Sequence, residues 1–156
     1  TGADLIYARF VLAHLREPEG AVTAWASQLS PAGMLALDEV EWIRTTNPVL
    51  SSYLDLVARL LAGRGSDLYV GPRLHILTQG RGWRQRSSRL RTLEVPARVA
   101  AELFAMNLAV WRCDPSLVPA DRVDELGVEL QELASSDAGE VVAWGLRQVT
   151  IERVEG

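Results

Sequence analysis

A chain of 156 residues, 48% hydrophobic and 23% charged, is long enough for one domain with a real core and has the balance of a globular protein. Its formal net charge of −4 argues against general nucleic-acid binding, and no apolar run approaches the roughly 18 residues that span a bilayer. The single cysteine, Cys113, leaves no internal disulfide and suits a reducing, cytoplasmic setting, and no secretory leader is visible.

All sixteen basic residues are arginine, which reads as the codon bias of a GC-rich genome and not as a binding signal. The chain begins at Thr1, as a processed protein, or a piece of a longer one, would.

The first element is predicted at Asp4–Ala8, a short apolar run with the β-formers Ile6 and Tyr7. After the segment 9–15, Pro18 and Glu19 mark a helix start, and Ala21, Val22, Trp25, Ala26 and Leu29 recur at helical spacing. Ser30-Pro-Ala-Gly33 reads as the break, and Met34–Leu37 as a second buried strand, so that strand, helix and strand form a βαβ unit. The acidic stretch 38–43 is placed after that strand. A helix is predicted over 50–62, a further one from Gly71 to Leu77, and a strand over 88–95. Pro96 opens an apolar helix to about Trp111. Pro119 opens another, with Val123, Leu126, Leu130 and Leu133 on one face. The segment 141–154 reads as the last strand or a strand pair.

Asp4-Leu-Ile-Tyr-Ala-Arg-Phe-Val-Leu-Ala-His-Leu15 resembles the fourth strand and following loop of class I S-adenosylmethionine-dependent methyltransferases. Leu29-Ser-Pro-Ala-Gly-Met-Leu-Ala-Leu-Asp-Glu39 resembles the family's leucine-x-proline-glycine-glycine turn and fifth strand, with Ala32 in place of the first glycine. Segment 67–82 is similar to the helix before the sixth strand, and the Trp144-Gly145 region, more loosely, to the seventh. The resemblance implies an α/β fold: a partial Rossmann-like sheet of strands four to seven, the last antiparallel. Residues 1–156 then form a single domain, with 97–134 as a helical cap. It also implies that the family's glycine-rich loop and ribose-binding carboxylate belong to a preceding half. Poor S-adenosylmethionine binding by the chain alone is therefore expected, with the missing N-terminal half or a second copy as partner.

In open α/β sheets ligands sit beyond the carboxyl ends of the strands. Ala8, Arg9 and Phe10 are accordingly the expected cofactor wall. Glu39 and His14 are the candidates for proton transfer, and Glu41 and Trp42 for contact with a small-molecule substrate. His14, His75 and Cys113 give no metal-ligand spacing. Arg81, Arg84, Arg86, Arg89 and Arg91 surround Trp83, the best case for a nucleic-acid-binding module, but they are expected to scatter over a helix end and a strand. The remaining alternative is a non-catalytic remnant that dimerises or binds a partner.

Overall fold

The computed structural model describes residues 2–80, 82–112, 118–136 and 139–154, so Cys113 and Arg81 lie outside the described residues. In chain order the elements are β1 (Ala3–Arg9), α1 (Pro18–Ser27), β2 (Leu29–Arg44), α2 (Pro48–Gly63), α3 (Leu74–Leu77), β3 (Trp83–Pro96), α4 (Ala97–Arg112), α5 (Ala120–Ala134) and β4 (Val141–Arg153). Short 3-10 turns stand at Leu12–His14 and Gly71–Arg73. Among the described residues no helix is long and apolar enough to cross a membrane.

The four strands form one sheet in the order β1-β2-β4-β3, with β1 and β2 parallel and the other pairs antiparallel. β1 and β3 are therefore its edges. The chain divides into two compact units. The first comprises Thr1–Trp42, Leu61–Thr92 and Trp144–Gly156, and the second Ile43–Leu60 and Leu93–Ala143.

In the first unit the core gathers Ala8, Leu35, Leu37, Val149 and Ile151 from the strands. Against them pack Leu12 and Ala13, Val22 and Ala26 of α1, and Leu74 and Leu77 of α3. Alternate strand residues face opposite sides of a sheet, and the helical spacing of Pro18, Val22 and Ala26 puts all three on one buried face of α1. In the second unit α4 and α5 pack together, and Val123, Leu126, Leu130 and Leu133 are buried as their spacing requires. Tyr53 of α2 stacks on Phe104 with 4.2 Å between ring centroids, and on Trp111 at 5.3 Å. The Asn47 side chain begins α2, its Oδ1 accepting the N–H groups of Val49 and Leu50. The predicted cap segment 97–134 falls in this second unit.

Three local expectations need correction. Strand β2 is far longer than the apolar run at 34–37: it continues through the acidic stretch to Arg44. Charges are tolerated in the strand because Asp38, Glu39 and Glu41 each meet a partner there, described below. Strand β3 begins at Trp83, not near 88, because an exposed edge strand needs no apolar alternation; of its residues, most are exposed.

The third correction concerns Ser30–Gly33, which is not a break before β2. Between the pairs Ala3–Leu29 and Leu5–Met34, β1 carries a single residue, Asp4, and β2 carries Ser30–Gly33, so the latter bulge out within the strand. Ala32 takes φ 62°, a left-handed conformation that suits glycine. Ala32→Gly is therefore expected to stabilise the chain by about 1 kcal/mol, read by urea denaturation. A loss of stability would show that the alanine methyl packs usefully in the bulge.

Candidate functional site

The carboxyl end of β1 lies beside the middle of β2, with Arg9 in register with Asp38 and Ala8 with Leu37. Ala8 is buried in the core. The half-exposed Arg9 points its Nε at Asp38 Oδ2, 3.6 Å away. Its guanidinium carbon stands 4.6 Å from the centre of the Phe10 ring, a cation–π contact. Phe10 has φ 55°, which costs an aromatic residue about 1–2 kcal/mol. Its N–H is held by the Asp38 carbonyl at 3.0 Å.

Beyond Phe10 the chain turns sharply. The N–H groups of Val11 and Leu12 both donate to Glu39 Oε1, at 3.0 and 2.9 Å. Glu39 is wholly buried, and among the described residues its Oε2 has no partner. Burial pushes its carboxyl above the ordinary carboxylate value, while the amides of Leu12, Val11 and Ala13 pull the other way and the Asp38 charge adds to the rise. Asp38 is also buried; Tyr7 Oη donates to its Oδ2 at 3.3 Å, and among the described residues its Oδ1 has no partner. His14 is exposed and closes the 3-10 turn.

The structure thus brings Ala8, Arg9, Phe10 and Glu39 together at one strand end, with His14 on the adjoining turn. Glu41 and Trp42 are engaged elsewhere. Glu41 makes a two-point ion pair with Arg147 of β4, at 2.5 and 2.9 Å. The Trp42 ring lies so close to Gly145 that a methyl group there would come within 2.2 Å of it.

Asp38, which the sequence places beside Glu39 and Glu41 at the crevice, and Tyr7, which it does not single out, belong to this cluster as fully as Arg9. Their period-2 positions make strand faces legible in the sequence, but not the register that sets Asp38 beside Arg9.

The arginines around Trp83 all sit on β3, apart from Arg81, which is outside the described residues. Arg84 and Arg86 both pair with Glu152 of β4. The Trp83 indole N–H donates to the Thr78 carbonyl at 3.2 Å, and the ring packs on Gly80.

No family model matches the chain, and no curated protein matches it. Solved structures do. One is a protein assigned as a methyltransferase, BH2331 from Bacillus halodurans C-125: TM-score 0.52, 13% identity, 98% of this chain and 70% of that one. A second is the mycolic acid cyclopropane synthase CmaA1 complexed with S-adenosylhomocysteine: TM-score 0.51, 13% identity, 97% of this chain and 56% of that one. The chain shares the α/β fold of the matching part of these two proteins.

The YcgJ protein from Bacillus subtilis shares this fold, with TM-score 0.51 and 16% identity over 99% of this chain and 65% of its own. The chain therefore spans between 56% and 70% of the length of these three proteins.

Proposed function

We propose that the chain is part of an S-adenosylmethionine-dependent methyltransferase acting on a small-molecule acceptor, and that the end of β1 forms one wall of its cofactor site. The observation that carries the reading is the geometry there. Within a methyltransferase fold, a half-exposed guanidinium and a buried carboxylate with an unpartnered oxygen stand side by side at the carboxyl end of a strand next to its parallel neighbour.

The residues present fit one end of the cofactor. The half-exposed Arg9 suits the carboxylate of an amino-acid head group. They do not fit the remainder: the loops after β1 and β2, residues 10–17 and 45–47, contain no glycine with which to cradle a nucleoside. When bound, S-adenosylmethionine would supply a sulfonium methyl group for in-line transfer to an acceptor's lone pair, with the thioether S-adenosylhomocysteine as the leaving group. What this chain contributes is positioning, the principal need of an in-line displacement. Arg9 and Phe10 hold one end of the site, and the buried Asp38 and Glu39 keep them in place.

The test is S-adenosylmethionine affinity and methyl transfer in the chain expressed behind its in-frame upstream sequence. Arg9→Ala is expected to weaken cofactor binding about ten-fold or more. Unaltered affinity would remove the β1 end from the site.

One observation favours a second reading, an association surface. In the described chain β1 is a sheet edge, and beside it Leu5, Tyr7 and Met34 are 60%, 54% and 40% exposed, with Leu5 opposite Met34. Open edges with apolar faces invite pairing. Light scattering of the chain alone is expected to show a dimer or larger species, and Tyr7→Lys to shift it towards monomer. A monodisperse wild-type monomer at high concentration counts against this surface.

A further inference from the structure

We propose that the adjacent carboxylates Asp38 and Glu39 form a two-sided clamp on the end of β1, in which Glu39 is the positioning residue that fixes the turn 10–14 and, through it, Arg9 and Phe10. Successive strand residues face opposite sides of a sheet. Asp38 therefore lies on the side of Tyr7 and Arg9 and meets both, while Glu39 lies on the side of Ala8, Leu35 and Leu37 and meets the turn. Two neighbouring side chains thus grip one strand end from both faces.

The turn needs such a grip. Phe10 is held in a left-handed conformation, which persists only where its surroundings over-determine it. Val11 and Leu12 come after the last residue of β1 and at the start of a 3-10 turn, where amides lack backbone acceptors. Glu39 Oε1 takes both N–H groups, and the Asp38 carbonyl takes that of Phe10. A buried carboxylate whose second oxygen has no partner among the described residues is a costly neighbour for Leu35 and Leu37, which precede it on that side of the strand. What it gains is a turn of one shape. Glu39 then acts by position and not as a general base towards the acceptor: it touches the loop backbone, and its contribution to cofactor binding runs through Arg9 and Phe10. That last step rests on the methyltransferase reading; the clamp itself does not.

Amide hydrogen exchange on the full chain tests the clamp directly. In the wild type, Val11 and Leu12 are expected to exchange about ten-fold or more slowly than unstructured amides. Glu39→Ala should abolish that protection and shift the Arg9 Nε–H resonance, leaving Ile6, Leu35 and Leu37 unchanged. Glu39→Gln, whose amide oxygen still accepts, should retain most of it. Val11 and Leu12 exchanging equally in wild type and Glu39→Ala would overturn the proposal. Should Glu39→Ala fail to fold, unprotected Val11 and Leu12 in the wild type would overturn it equally, and slow exchange there, kept in Glu39→Gln, would support it. Cofactor affinity, measured separately, reports on the methyltransferase reading alone.

Discussion

Gly71→Ala is expected to destabilise the chain by about 3 kcal/mol, the upper part of the usual range for overpacking. A methyl group at Gly71 would come within 2.7 Å of Glu41 Cα and 2.8 Å of Glu41 N and the Val40 carbonyl oxygen. These are backbone atoms of β2, a strand held in the sheet beside β4, and not the ends of flexible side chains that could yield. The displacement would also move Glu41 away from Arg147, adding the loss of a two-point ion pair. In a domain of this size the midpoint of thermal unfolding should fall by roughly 10 °C. Gly20→Ala is the matched control. Gly20 lies in α1 with open space where a methyl would stand, and alanine there should stabilise by about 0.5–1 kcal/mol. Equal effects at the two positions would mean that the contact between Gly71 and β2 is not formed.

Glu39→Gln should change how stability depends on pH. Burial raises the folded-state value of Glu39 above the ordinary 4.5. The folded chain therefore favours the protonated carboxyl: the Glu39 contribution is fully present below the unfolded value and is lost as pH rises through the folded one. The variant carries no ionisable group at that position, yet keeps an oxygen that can accept the Val11 and Leu12 N–H groups. Urea denaturation from pH 4 to pH 8 should show the wild type losing stability relative to Glu39→Gln across the raised window. A wild type that instead gains on the variant as pH rises would mean that the amide contacts outweigh the desolvation of the charge.

The segments whose signals are local were legible in the sequence. β1 and α1 follow from an apolar run and a proline-led helical spacing. The stripe Val123, Leu126, Leu130 and Leu133 gave the buried face of α5. The motifs at 4–15 and 29–39 pointed to the methyltransferase fold through their order and spacing. The acidic stretch was not legible as strand, because what makes its charges tolerable lies far along the chain. Glu39 Oε1 is met by amides 27 and 28 residues away, and Glu41 by an arginine 106 residues away. The same holds for the site. Arg9 and Phe10 were legible as the end of a strand, but the roles of Asp38 and Tyr7 depend on a register that only pairing fixes. Trp42 looked like a pocket wall until its ring was found against Gly145.

The central claim is that the end of β1 faces the cofactor. Chemical-shift mapping tests it most directly, with S-adenosylhomocysteine titrated into the isotope-labelled chain. Weak binding is expected, with half-saturation at about 1 mM or above, because the chain supplies only one wall. The shifted amides should cluster at 8–12 and 38–39. Shifts confined to α4 and α5 or to the arginines of β3, or no shifts at all at about ten times that concentration, would contradict it.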